Sequence, residues 1–88
     1  MKRRYYSVYD KVSCVFDRLW NAMNDADAKR AFIAGNKDNP HVGDHELYYI
    51  AEFDDNNGEV SITMPTRIYT GLDAKLHYTS EVIEEEGA

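Results

Sequence analysis

A chain of 88 residues, 43% hydrophobic and 12% aromatic, suffices for one small folded domain and is too apolar for wholesale disorder. Its single cysteine, Cys14, excludes an internal disulfide, and no apolar run approaches the roughly 20 residues that a membrane-spanning helix needs. The net charge of −6 is uneven: residues 1–37 carry eight of the ten Lys and Arg against four acids, for +4, whereas residues 38–88 carry twelve acids against Arg67 and Lys75, for −10.

In chain order, Lys2-Arg3-Arg4 leads into Tyr5-Tyr6-Ser7-Val8-Tyr9, a β-favouring run rich in rings. No apolar signal core follows the basic start, so a cytosolic protein is expected. Asp10-Lys11 reads as a tight connection to a second strand, Val12–Phe16, in which Val12, Cys14 and Phe16 share an apolar face. On that face Cys14 is expected to be a buried small hydrophobe. Asn24 is a good N-cap, and Asp25 and Asp27 place negative charge in the first turn of a helix. Ala28, Ala31, Phe32 and Gly35 share one face of it, and Gly35-Asn36 followed by Asn39-Pro40 ends it. Residues 36–45 read as a polar loop.

The clearest element is the stretch from Glu46 to Met64. Leu47, Tyr49, Ala51 and Phe53 alternate with their neighbours, as do Val60, Ile62 and Met64, and Asn57-Gly58 between them predicts a two-residue hairpin turn. That turn would set Phe53 opposite Ile62 and Ala51 opposite Met64. Met64-Pro65-Thr66 marks a break, and Arg67–Thr70 and Leu76–Thr79 read as two short strands. The expected fold is α+β: a twisted antiparallel sheet of about four to six strands, ordered β-β-α-β-β with C-terminal strands added, and one helix packed on it. Residues 1–80 form the single domain and 81–88 an acidic, disordered tail.

Chemistry for catalysis is sparse. His41 and His45 flank Gly43 in a loop, His77 stands by itself, and Cys14 has no partner at the level of the sequence. Asp54–Gly58 mimics a calcium loop, but with Gly58 at the sixth position Phe53 and Met64 would be the first and twelfth ligands, and neither can bind the ion. No cofactor, metal or enzymatic role is expected. The first half does interleave cations with rings, which is what a single-stranded nucleic acid requires: charges that follow phosphates and faces that stack bases. Lys2, Arg3, Arg4, Lys11 and Arg18 are the candidate phosphate contacts, and Tyr5, Tyr6 and Trp20 the candidate stacking rings. Alternation divides the tyrosines of the first strand between two faces, so some must be core.

The runs Val8-Tyr9-Asp10-Lys11, Ala28-Lys29-Arg30-Ala31-Phe32, Asn39-Pro40 and Leu47-Tyr48 through Gly58 together resemble the small nonstructural protein of gokushovirus-type microviruses, phages with circular single-stranded DNA genomes. Leu19–Met23 stands where members have a Pro-Phe-rich segment, and Ala51 where they commonly have Gly. The resemblance implies a nonstructural DNA-binding protein acting in genome replication or packaging in the cytoplasm of a bacterial host, and it carries no catalytic residues. Two functions are therefore expected to compete. One is a non-enzymatic protein, expected as a homodimer, that binds single-stranded DNA through its basic aromatic hairpin. The other is a module whose acidic half docks a phage or host replication or capsid protein; neither involves a membrane.

Overall fold

The computed structural model describes residues 1–87, with side chains throughout except at 63 and from 81 on. β1 (Lys2–Asp10) lies between two neighbours, pairing with β4 (His45–Asp54) on one side and with β2 (Val15–Phe16) and β3 (Trp20–Ala22) on the other. β5 (Val60–Thr70) pairs with β4 and forms the far edge, and every pairing is antiparallel. α1 (Asp25–Gly35) follows β3, a 3₁₀ turn at Val42–Asp44 precedes β4, and α2 (Gly71–Gly87) follows β5 directly. The α+β antiparallel architecture is as expected. Leu76–Thr79 is not a strand, however, and the single expected helix has become two.

α2 has a local cause that outweighs the β-like look of Leu76–Thr79. Thr70 Oγ1 accepts from the Asp73 backbone N–H at 3.1 Å and donates to the Asp73 carboxylate at 2.8 Å, so Thr70 caps the first turn of α2. Ala74 is then fully buried and Tyr78 half-buried, four apart on one helical face. The expectation for 81–88 as an acidic tail concerns residues outside those described in full.

Both hairpin loops are longer than a two-residue turn, and they share one construction. In the β4–β5 loop, Gly58 N–H donates to the Asp54 carbonyl at 2.8 Å, the Asp54 side chain accepts from Asn56 N–H at 2.9 Å, and Gly58 sits at φ +76°. In the β1–β2 loop, Cys14 N–H donates to the Asp10 carbonyl at 2.8 Å, the Asp10 side chain accepts from Val12 N–H at 2.9 Å, and Cys14 sits at φ +60°. In each, an aspartate caps a four-residue turn whose last residue is left-handed. Phe53 consequently pairs with Val60 and Ala51 with Ile62, two residues short of the two-residue-turn register. A shift of two preserves the face, so the apolar pairing survives. Cys14 belongs to the turn and is exposed, not buried in a strand; the second strand shrinks to Val15–Phe16.

Alternation in β1 and β4 defines two faces. The helix-side face presents Tyr6, Val8, Leu47, Tyr49, Trp20 and Tyr69, and Ala28 and Phe32 of α1, Val42 of the 3₁₀ turn and Ala74 of α2 complete the core with them. Tyr6 and Leu47 are fully buried. α1 begins as its sequence predicts, with the Asn24 side chain accepting from Asp27 N–H at 2.8 Å, and ends with both the Asn36 backbone N–H and its side-chain amide on the Phe32 carbonyl. Ala28 and Phe32 pack on the sheet, whereas Ala31 and Gly35 look into a cleft beside it.

A candidate nucleic-acid interface on the open sheet face

The opposite face of the sheet is built from Arg3, Tyr5, Ser7 and Tyr9 of β1, Phe16 of β2, Glu46, Tyr48, Ala51 and Phe53 of β4, and Val60, Ile62 and Arg67 of β5. Tyr9, Phe16 and Tyr48 form a ring cluster at its centre. The Tyr9–Phe16 centroids are 4.9 Å apart, Phe16–Tyr48 5.3 Å and Tyr9–Tyr48 6.1 Å, in tilted and edge-on arrangements that rings favour. Phe16 is 43% exposed, so the cluster is a surface platform and not a second core. Beneath it Ser7 is buried and donates to the Asp17 carbonyl at 2.7 Å, which ties the edge strand to β1. The Cys14 thiol lies beside the Tyr9 hydroxyl and holds its pKa above the ordinary tyrosine value.

Charge is sorted between the faces. Glu46 is buried on the open face but accepts from Arg67 at 2.9 Å, and the Arg67 side chain remains 56% exposed. Glu52 and Asp54 share the helix-side face with Lys2, opposite the ring platform, and with Glu59 they surround a small hollow there. Glu52, Asp54 and Glu59 are thus kept off the rings.

The cations of the first strand have partners that their sequence did not reveal. Lys2 pairs with Glu52 at 3.8 Å and Arg3 with Asp55 at 3.2 Å, both at exposed positions. Such pairs are screened by water and open readily, so they leave a cation able to exchange onto phosphate. Arg4 is different. It donates to the Tyr6 hydroxyl at 3.0 Å and to Asp25 at 3.2 Å, and its guanidinium lies 4.0 Å from the Tyr49 ring centroid. The Tyr6 hydroxyl contact holds the Arg4 pKa above its ordinary value, and burial pushes the Tyr6 phenol up. Tyr6 in turn donates to Asp25 at 2.8 Å, so Arg4, Tyr6 and Asp25 join β1 to the start of α1. These are structural contacts.

Among the expected site residues, therefore, Tyr5 and Arg3 lie on the open face, and Lys11 and Arg18 are exposed on the loops that flank Phe16, with no ion pair among the described residues. Tyr6 is excluded as a stacking ring because it has no exposed surface. Trp20 faces the core side, 5.7 Å from the Tyr6 ring, and lines the cleft. Lys2 sits among acids on the other face. Sequence reasoning missed Tyr9, Phe16 and Tyr48. The usable signal was parity: Tyr9 falls in step with Tyr5, and Tyr48 out of step with Leu47.

The cleft lies on the helix side of the edge strand, between β2 and the C-terminal half of α1, with a volume of about 670 Å³. Its end wall is polar. The Asn39 side chain accepts from His41 N–H at 2.9 Å and donates to Asn36 Oδ1 at 3.0 Å, and its nitrogen lies 3.2 Å from His45 Nδ1. His45 Nε2 stands 3.6 Å from Asp10 Oδ2. Among the described residues no group of three or more His, Cys, Asp or Glu is placed to hold a metal ion, and no helix is long and apolar enough to cross a membrane.

The fold and face together define a class: a small α+β protein with helices on one side of an antiparallel sheet and a ring platform on the other. Residues 3–74 match the model of the Phage ORF5 protein family, and the chain belongs to that phage family. No match was found among curated proteins or among solved structures.

Proposed function

We propose that this phage protein binds single-stranded DNA on the open face of its sheet. The observation that carries the reading is the Tyr9–Phe16–Tyr48 cluster, with Phe16 exposed and both tyrosines half-buried, set on an antiparallel sheet with Tyr5 beside it and Arg3, Lys11, Arg18 and Arg67 around it. Rings on a sheet surface stack successive bases without regard to sequence, at about 1–3 kcal/mol per base, while cations track the phosphates. The protein performs no catalysis in this reading, and takes no cofactor or metal. Its place is the replication or packaging of a microvirus-type genome in the cytoplasm of the bacterial host. Val60, Ile62 and Met64, exposed at 55, 82 and 82% on the edge strand β5, support a second element of it, pairing of β5 with a second copy of the chain.

The test is fluorescence anisotropy of labelled oligo-dT across a salt series. Four protein cations that neutralise phosphates of a single strand release its counterions and give a log–log slope of about −3. Tyr48→Ala weakens binding by about tenfold or more. A slope near zero, or an unchanged affinity in Tyr48→Ala, refutes the reading. The competing reading, an acidic docking module, is favoured by the internal ion pairing of Lys2, Arg3 and Arg4, and predicts no DNA binding at low salt.

A further inference from the structure

We propose that the cleft between β2 and α1 receives one nucleobase edge-on, with Asp10 accepting from its hydrogen-bond donor and His45 donating to the adjacent acceptor. The Asn39 side chain, whose bonding is complete, sets the arrangement. Its oxygen accepts from His41 N–H, which fixes the amide orientation, and its two N–H groups then face Asn36 Oδ1 and His45 Nδ1. Nδ1 must therefore be the bare, accepting nitrogen, and the ring proton resides on Nε2. That Nε2–H lies beside Asp10 Oδ2 at 3.6 Å, too long for a hydrogen bond between them, and both residues line the cleft. The other Asp10 oxygen is already used by the backbone N–H groups of Val12 and Ser13.

The cleft thus holds a donor and an acceptor side by side: His45 Nε2–H, too far from Asp10 to bond it, and the Asp10 carboxylate, which the Val12 and Ser13 N–H groups and the Ser13 side chain hold in place. All four DNA bases offer the complement: an N–H next to a bare nitrogen or carbonyl oxygen on the Watson–Crick edge. Apolar walls for the ring faces come from Trp20, Phe32, Val8 and Val15, and about 670 Å³ falls within the range of small-ligand sites. Ala31 and Gly35 keep the helix wall low, and a Cβ on Gly35 would have nothing within 4 Å. Phe16 belongs to the ring cluster of the open face and also lines this cleft, as does Arg18, so a strand lying on the platform can turn one base over the segment 17–19 and into the cleft. The inference rests on the single-strand reading for the source of the base; a free nucleotide presents the same edge.

The sole tryptophan, Trp20, lines the cleft and reports on it. The four deoxynucleoside monophosphates and oligo-dT are titrated separately into the full chain, into Gly35→Leu, which fills the cleft, and into His45→Phe, which removes the donor while keeping the ring. The expected result is a saturable change in Trp20 emission with mononucleotides, lost in Gly35→Leu and weakened about tenfold in His45→Phe, with oligo-dT binding about tenfold weaker in both. Should mononucleotides bind and oligo-dT not, the cleft stands with free nucleotide as its ligand and the single-strand reading falls. Should oligo-dT bind all three proteins equally with Trp20 silent to every mononucleotide, the cleft proposal is overturned while the open face keeps its role. Should nothing bind, both fail. His45→Phe keeps the test valid if Gly35→Leu does not fold.

Discussion

Two glycines of this chain should respond to alanine with opposite signs, and the difference follows from what a Cβ would meet at each. At Gly71, the first residue of α2, an added Cβ would lie 1.5 Å from the Val42 carbonyl oxygen, 2.5 Å from its carbon and 2.8 Å from the His45 oxygen. All three are backbone atoms, so no rotamer change relieves the overlap. Either α2 or the 3₁₀ turn must move by more than an ångström. Overpacking that side chains can relieve already costs about 1–3 kcal/mol, and a backbone collision belongs at or above the top of that range. At about 4–8 °C per kcal/mol for a domain of this size, Gly71→Ala should lower Tm by more than about 12 °C. Gly35 is helical with open space around its Cβ position, so Gly35→Ala should gain about 0.5–1 kcal/mol of helix propensity and raise Tm by a few degrees. Thermal and urea unfolding of both variants against the wild type is the assay. A Gly71→Ala protein melting within 2 °C of wild type would show that the close packing of α2 on the Val42–His45 segment is wrong. The cleft would lose its support with it, because that segment holds His45.

Cys14→Gly should stabilise the protein by about 0.5–1 kcal/mol, since a non-glycine residue at φ +60° bears a steric cost that Gly58 avoids in the matching loop; an unchanged or lower urea midpoint contradicts this. Asn24→Ala should cost about 1 kcal/mol through loss of the α1 cap, with the loss visible in far-ultraviolet circular dichroism melts. Acid unfolding should begin with the aspartates. Asp10 is held below its ordinary pKa chiefly by the Val12 N–H, Asp27 by the Met23 N–H and Asp55 by the N-terminal ammonium. Folded-state values below the unfolded ones mean stability that is fully present above the unfolded pKa of 3.8 and lost as pH falls through the lower folded values. Proton uptake on unfolding should therefore appear below about pH 5, and Asp10→Asn should reduce it. At the other end, burial raises the Tyr6 and Tyr69 pKa values, so their contribution is intact below 10.0 and lost as pH rises through the raised values; Tyr6→Phe should lessen that alkaline loss in a pH titration of Tm.

Much of the fold could be read from local pattern. The Asn24 cap and the Phe32 anchor each depend on residues within a few positions of one another, and each is found where it was expected. The Glu46–Met64 alternation holds only in part: an irregularity between Tyr49 and Ala51 leaves Leu47 and Tyr49 on the helix side and turns Ala51 and Phe53 to the open face. The face that became core could not be read that way. Tyr5 and Tyr6 are equal as β-formers, and Tyr6 is buried because Asp25, nineteen residues on, receives its hydroxyl and because α1 lands on that side. The first four residues likewise look like a uniform basic patch, yet Arg4 is committed to Tyr6, Asp25 and the Tyr49 ring whereas Lys2 and Arg3 have only exposed partners. Cys14 was misplaced because the Asp10 turn consumes four residues where two were allotted. The strand expected at Leu76–Thr79 was a failure of weighting. Thr70-Gly71-Leu72-Asp73 is an N-cap signature, and Ala74 and Tyr78 carry the helical spacing, but the β-branched and aromatic residues nearby drew the opposite conclusion. The cleft was invisible in advance, since Asp10 and His45 meet only through the β1–β4 register.

The central claim is that the open face, and not the acidic side of the sheet, is the working surface. Chemical-shift mapping of the aromatic ring resonances of the full chain during titration with oligo-dT tests it most directly. Saturable shifts at Tyr5, Tyr9, Phe16 and Tyr48, accompanied by Arg67 Nε, are the predicted result. Shifts confined to the surroundings of Glu52, Asp54 and Glu59, or no shifts at low salt, would contradict it.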